Sequence, residues 1–104
     1  GIQYLVIKDG DGACPSIHDS VTAHYKGSLL DGKEFDNSFK RGQPFTAPLT
    51  ALIKGWQIAL PKMSVGSHWR IWIPSDLAYG DRGAGSDIPG GATLIFEIEL
   101  LGIK

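Results

Sequence analysis

The chain has 104 residues, enough for one domain around one core. Its 42% hydrophobic and 20% charged content is that of a globular protein, and a net charge of -1 gives no basis for binding nucleic acid or an anionic membrane. No apolar run approaches the ~20 residues that span a bilayer, and the one cysteine, Cys14, excludes an internal disulfide. In chain order, Ile2–Lys8 reads as a first strand. Asp9-Gly-Asp-Gly reads as a turn, since glycine accepts positive φ and aspartate bonds to nearby backbone. Ser20–Leu30 alternates, with Val21, Ala23, Tyr25, Gly27 and Leu29 on one face and Thr22, His24, Lys26 and Ser28 on the other. That is the pattern of a half-buried antiparallel strand. Asp31-Gly32 predicts a hairpin, with Lys33–Phe39 as the returning strand and Phe35 and Asp36 side by side in it. Lys40–Pro44 is a second turn cluster, and Phe45 opens a short extended piece.

Leu49–Leu60 is the one stretch with helical spacing: Leu52, Ile53, Trp56, Leu60 and Met63 form an apolar stripe. Thr50 is the expected N-cap and Pro61, lacking a donor, the expected end. Gly55 inside this helix costs about 1 kcal/mol relative to alanine. Its presence implies close approach of another backbone, or a Trp56 ring that must turn into a cavity. Ser67–Ile73 alternates again, with Trp69, Ile71 and Ile73 on one face and His68, Arg70 and solvent-facing Trp72 on the other. Leu77–Gly91 is a glycine-rich loop, long enough in so small a domain to suggest function. Ala92–Ile103 is the last strand, with Leu94, Phe96, Ile98 and Leu100 inward. The expected fold is α+β: a curved antiparallel sheet of five to six strands, mostly hairpin-connected, wrapped around one short helix. The chain is expected to form one domain over residues 1–104 and, with Gly1 in place of Met, to have been processed or cut from something longer.

Reactive constellations are missing from the sequence. His18, His24 and His68 have no carboxylate or cysteine at ligand spacing, so they read as solvated surface residues and no metal or cofactor is expected. Cys14 sits in a loop with no motif around it, and Gly80-Asp-Arg-Gly-Ala-Gly lacks the lysine and following helix of a phosphate loop. Glu97 and Glu99 read as solubility charges on an outer face. What remains is an excess of aromatics: Tyr25, Phe35, Phe45, Trp56, Tyr79 and Phe96. Three of them, Phe35, Phe45 and Tyr79, fall at strand ends or in loops and suggest the walls of a concavity. Asp36 beside them needs a partner, because an unpaired buried carboxylate is costly, and Tyr25 and Arg41 are the candidates. Composition alone therefore points to a small apolar binding site.

The segments Val21-Thr-Ala-His-Tyr-Lys-Gly, Asp31-Gly-Lys-Glu-Phe-Asp-Asn-Ser, Gln43-Pro-Phe, Ile53-Lys-Gly-Trp, Met63-Ser-Val-Gly, Leu77-Ala-Tyr-Gly, Ile88-Pro and Ala92-Thr-Leu-Ile-Phe-Glu-Ile-Glu-Leu-Leu occur in family order. Over essentially its full length the chain resembles the FK506-binding-protein (FKBP) type of peptidyl-prolyl cis-trans isomerase. Its opening Gly-Ile-Gln-Tyr and its Tyr79-Gly-Asp-Arg-Gly-Ala-Gly loop are most similar to the bacterial macrophage-infectivity-potentiator branch. The resemblance implies a pocket floored by Trp56 and walled by Tyr25, Phe35, Phe45, Leu52, Ile53, Tyr79 and Phe96. Asp36, Tyr79, Phe35 and Tyr25 would act on the substrate, Arg41 would hold Asp36 and Tyr25, and Ile88 would offer a backbone N–H to ligand. Leu52, Ala84, Asp87 and Gly90-Gly91 depart from the family pattern and would alter the sequences preferred around the proline.

The implied partners are proline-containing polypeptides and macrolides such as FK506 and rapamycin, with no nucleic acid and no membrane insertion. The resemblance further implies a monomeric isolated domain, dimerisation through an N-terminal segment in a longer chain, and a periplasmic or outer-membrane-associated location, cytoplasm being the alternative. The competing functions are a proline- or apolar-peptide-binding module without turnover and a chaperone using the same pocket.

Overall fold

Alternation of apolar and polar side chains decides the sheet. A computed structural model describes residues 1–104 and contains six strands: β1 (Gln3–Lys8), β2 (Ser20–Leu29), β3 (Glu34–Asn37), β4 (Phe45–Pro48), β5 (His68–Ile73) and β6 (Leu94–Ile103). They form one antiparallel sheet in the order β1-β5-β6-β2-β3, with β4 also paired to β2. Val21, Ala23, Tyr25 and Gly27 of β2 are buried, as are Trp69, Ile71 and Ile73 of β5 and Leu94, Phe96, Ile98 and Leu100 of β6. Burying each large member contributes roughly 1.5–3 kcal/mol before the opposing chain entropy.

Only one connection is a tight hairpin. Gly32, at φ 92°, donates its N–H to Leu29 O, and Leu29 donates to Lys33 O, both at 2.9 Å. β5 and β6 are consecutive but joined by a long connection, and the remaining pairings skip over other strands, which corrects the expectation of a mostly hairpin-connected sheet: β1 lies beside β5, and β2 beside β6. The returning strand is also shorter than expected. It stops at Asn37, whose side chain accepts from the Lys40 N–H and starts a helical turn, α1 (Ser38–Arg41), closed by Gly42 at φ 70°.

The expected helix over Leu49–Leu60 is broken. A 3-10 turn covers Leu49–Ala51, Leu52 is extended, and the α-helix α2 spans only Lys54–Ala59 before a second 3-10 turn at Leu60–Lys62. Thr50 is exposed and caps nothing; α2 starts without a side-chain cap at Ile53. The apolar spacing misleads because its members serve two surfaces. Leu60 and Met63 enter the core, Leu52 and Ile53 line a cleft, and Trp56 does both. The Leu52 carbonyl freed by the break accepts from Gln57 Nε2 at 2.8 Å. No helix is long and apolar enough to cross a membrane.

Gly55 is required by packing against a side chain, not by close approach of another backbone. A Cβ there would lie 2.5 Å from both Cδ1 and Cγ2 of Ile73. Gly55→Ala is therefore expected to lower stability by about 1–3 kcal/mol, although helix propensity alone would raise it by about 1 kcal/mol. Urea midpoints of the two proteins check the sign; a higher midpoint for the variant would show that Ile73 moves aside freely.

Candidate active site

A cleft of about 270 Å³ opens between α2 and the concave side of the sheet. Its lining is Tyr25, Phe35, Asp36, Phe45, Ala51, Leu52, Ile53, Trp56, Tyr79 and Phe96. Nine of these ten are hydrophobic, so the one carboxylate stands alone among apolar groups. Several local rules deliver them. Inward alternation on β2 and β6 supplies Tyr25 and Phe96, the hairpin return supplies Phe35 and Asp36, and β4 supplies Phe45. The break before α2 turns Leu52 and Ile53 toward the opening.

Trp56 is 4% exposed and forms the floor. Its ring stands nearly perpendicular to those of Tyr25 and Phe96, at centroid distances of 5.2 and 5.4 Å. Phe35 meets Phe96 edge-on at 5.7 Å. Gly27 makes room for that pair, since a Cβ there would lie 2.5 Å from Phe35 Cζ and 2.8 Å from Phe96 Cε1.

Asp36 is held on both oxygens. The Tyr25 hydroxyl donates to Oδ2, Arg41 donates to Oδ1, and the Asn37 N–H donates to Oδ1 at 2.9 Å. The Arg41 guanidinium also lies over the Tyr25 ring, 5.8 Å from its centroid. Burial alone would raise the Asp36 carboxyl, but the bonds from Tyr25 and Arg41, the Arg41 charge and the Asn37 N–H outweigh it and hold the group below its ordinary value. Burial, then the bond to Asp36, pushes the Tyr25 phenol up, so it remains a donor at neutral pH. Arg41 itself stands behind Asp36 and does not line the cleft.

Ile88 is not where the resemblance put it. It is buried, does not line the cleft, and donates its N–H to Ala84 O at 3.1 Å while accepting from the Ala84 N–H at 2.8 Å. The loop doubles back on itself there, helped by Gly83 at φ 69°, where a Cβ would fall 2.1 Å from Ile88 O. A free N–H exists instead at Ile53, which lines the cleft and donates to nothing within the chain. A helix running through Ile53 would have occupied that group, so the continuous helix expected from the spacing concealed it. Ala51 was also missed, being small and outside the apolar stripe. Tyr79 is 39% exposed, and its hydroxyl makes no bond within the chain.

Two surface readings need correction. His68 is not simply solvated: its Nε2 is buried without a hydrogen-bond partner, 3.6 Å from Glu97 Oε1. Glu97 is the centre of an ion cluster, paired to Lys26 at 2.8 Å and Arg70 at 3.5 Å. Burial opposes its charge, but Lys26, Arg70 and His68 together lower the carboxyl below its ordinary value. His24 bonds through Nδ1 to Ser38 Oγ at 2.8 Å and stacks on Phe39. No three His, Cys, Asp or Glu side chains converge anywhere as metal ligands would.

The family model for FKBP-type peptidyl-prolyl cis-trans isomerase matches residues 12–101. The chain belongs to this family. It is 52% identical over 103 residues to the FKBP-type 22 kDa peptidyl-prolyl cis-trans isomerase of Escherichia coli, covering 99% of this chain and 50% of that protein. It is 47% identical over 104 residues to the peptidyl-prolyl cis-trans isomerase Mip of Coxiella burnetii, covering all of this chain and 45% of that one. The crystal structure of FkpA from Escherichia coli superposes with a TM-score of 0.96 at 43% identity, over all of this chain and 48% of that one. The chain thus spans about half the length of these FKBP-type relatives.

The lowered Asp36 carboxyl has a consequence for acid stability. The folded state binds fewer protons than the unfolded chain between the two carboxyl values, so the clamp's contribution is present above the ordinary carboxylate range, near pH 4, and is lost as pH falls through the lowered folded value. Asp36→Asn is expected to be less stable than the parent at pH 7, with the gap narrowing toward pH 3. Urea midpoints at both pH values measure it; a gap that widens on acidification would reverse the sign assigned to Asp36.

Proposed function

We propose that this domain catalyses cis-trans rotation about X–Pro peptide bonds in polypeptide substrates. The observation that carries the reading is a single ionised carboxylate, pinned by Tyr25 and Arg41, in the wall of an otherwise apolar cleft floored by Trp56. Membership of the FKBP-type family and the names of its relatives support it.

Amide resonance sets a rotation barrier of ~18–20 kcal/mol, and uncatalysed X–Pro exchange takes tens to hundreds of seconds. At the twisted transition state resonance is lost and the amide is less dipolar than in either planar form. An apolar cleft that excludes water therefore favours the twisted form relative to the planar ones. Lowering the barrier by about 5–6 kcal/mol accelerates exchange about 10⁴-fold. The reaction makes and breaks no covalent bond and needs no proton transfer. Asp36, ionised at neutral pH, supplies a fixed field that orients the substrate carbonyl; it is not a base. In this proposal the Tyr79 hydroxyl and the Ile53 N–H are the donors for substrate carbonyls, since both lie at the cleft with no partner in the chain. Trp56, Phe35, Phe45, Leu52 and Phe96 receive the proline ring and its neighbours. The same apolar floor and open donors suit the macrolides FK506 and rapamycin.

Exchange spectroscopy by NMR on a short X–Pro peptide tests this directly. The domain is expected to accelerate exchange, and FK506 to suppress the acceleration. Asp36→Ala is expected to stay folded and to reduce the catalysed rate about tenfold, equivalent to ~1.4 kcal/mol at the transition state. A peptide that binds in the cleft without faster exchange would replace the enzyme with a binding module.

A further inference from the structure

One edge of β2 changes partner in mid-strand. β4 pairs with Ser20–Ala23 and β3 with Lys26–Ser28, leaving His24 and Tyr25 between them without a ladder partner on that side. Continuing the β3 register past Lys26↔Asn37 would set Ser38 opposite Tyr25, but there the chain has already turned into α1. The Ser38 side chain fills the gap. Its hydroxyl accepts from the Tyr25 N–H at 2.7 Å and donates to the Tyr25 carbonyl at 3.1 Å, and the residue is fully buried. A third neighbour, His24 Nδ1, lies 2.8 Å from the same oxygen.

We propose that Ser38, completed by an Nδ1–H of His24, is the positioning residue of the cleft: one hydroxyl fixes Tyr25 on β2 and Arg41 on α1 relative to each other, and so aims both at Asp36. Ser38 is the first residue of α1 and Arg41 the last, while Tyr25 carries the phenol that meets the other carboxylate oxygen. Both arms of the clamp are therefore referenced to one buried atom.

The proton inventory makes the assignment specific. A serine hydroxyl has one hydrogen and two lone pairs. The Tyr25 N–H can only donate and the Tyr25 carbonyl can only accept, so the single hydrogen is committed to the carbonyl. One lone pair remains, and only a protonated Nδ1 matches it. A bare Nδ1 would compete for the one hydrogen and leave a buried main-chain carbonyl unpaired. Phe39, stacked on the His24 ring at 4.7 Å with an interplanar angle of 19°, holds the imidazole in the required plane.

The catalytic consequence rests on the isomerase reading; the positioning itself does not, and the test separates them. The Asp36 carboxyl is titrated by carbonyl-carbon NMR in the parent, in Ser38→Ala and in Ser67→Ala. Ser67 is an equally buried serine whose hydroxyl bonds Ser64 O at 2.6 Å away from the cleft, so it reports simple loss of a buried hydrogen bond. Ser38→Ala is expected to move the Asp36 midpoint up toward the ordinary carboxylate value and to slow catalysed X–Pro exchange about tenfold. Ser67→Ala is expected to lower thermal stability and leave the midpoint where it is. An unmoved midpoint in Ser38→Ala overturns the proposal even if the domain is an active isomerase. A moved midpoint without any isomerase activity in the parent leaves the positioning role standing and removes only the reaction. Ring-nitrogen NMR of the unmodified protein decides the case where Ser38→Ala does not fold: His24 is expected to carry its proton on Nδ1, and a ring protonated only on Nε2 overturns the assignment.

Discussion

The perpendicular packing of Trp56 on the sheet's aromatics is the interaction on which both fold and cleft depend. Tyr25 comes from β2, Phe96 from β6 and Phe45 from β4, while the indole comes from α2. Edge-on aromatic pairs contribute about 0.5–1.5 kcal/mol each beyond the area they bury. Here they do more than add stability, because through one side chain they tie a short helix to three separate strands. The indole can reach them because residue 55 has no side chain to collide with Ile73. Tight packing of this kind leaves a floor that does not collapse when the cleft is empty, so a ligand meets a surface already shaped for it.

Against that apolar floor a lone carboxylate is an electrostatic problem. Moving it out of water favours the neutral acid, so burial alone would raise the Asp36 carboxyl. Tyr25, Arg41 and the Asn37 N–H prevent this by occupying both oxygens. The outcome is a charge that is fixed in place and direction but is not available to accept a proton from substrate. That suits the proposed bond rotation, in which the difference between ground and transition states is one of dipole and not of bonding. A single oriented charge and a dry wall can discriminate between a planar and a twisted amide without any nucleophile.

The long strands of the sheet could be read from the chain because period-2 alternation in β2, β5 and β6 is a direct statement of which face is buried. The aromatic set and Asp36 could be read because aromatics at loop and strand ends, and a carboxylate among them, have few structural explanations. The resemblance to FKBP-type isomerases turned that apolar site into a specific expectation. What could not be read has a common cause: groups whose role is set by the main chain. Ser38 looks like an ordinary strand residue until its hydroxyl is seen replacing a ladder partner for Tyr25. The Ile53 N–H is hidden by an apolar spacing that fits a continuous helix. Ile88 carried the expected residue type at the expected place in sequence, yet its N–H is spent on Ala84. Glu97 looks like any outward-facing acid in a strand; only the register of β2 and β5 beside it shows that three basic groups converge on it.

That register explains why the charged and dry sides of the sheet belong to one device. Glu97 is the ladder partner of Lys26 on one side and Arg70 on the other. One residue earlier, Phe96 is the ladder partner of Gly27 and Ile71, and it faces the cleft. Successive side chains on a strand point to opposite faces, so the ion row lies directly behind the aromatic row. A one-residue slip of β6 would drive Glu97 into the core and Phe96 into water. The Lys26–Glu97–Arg70 row resists such a slip from the wet face, as the aromatic packing does from the dry one. Each pair in it is partly exposed and adds little to global stability. Its effect is on alignment: it keeps Phe96 over the missing side chain of Gly27, where Phe35 can meet it edge-on and close that wall of the cleft.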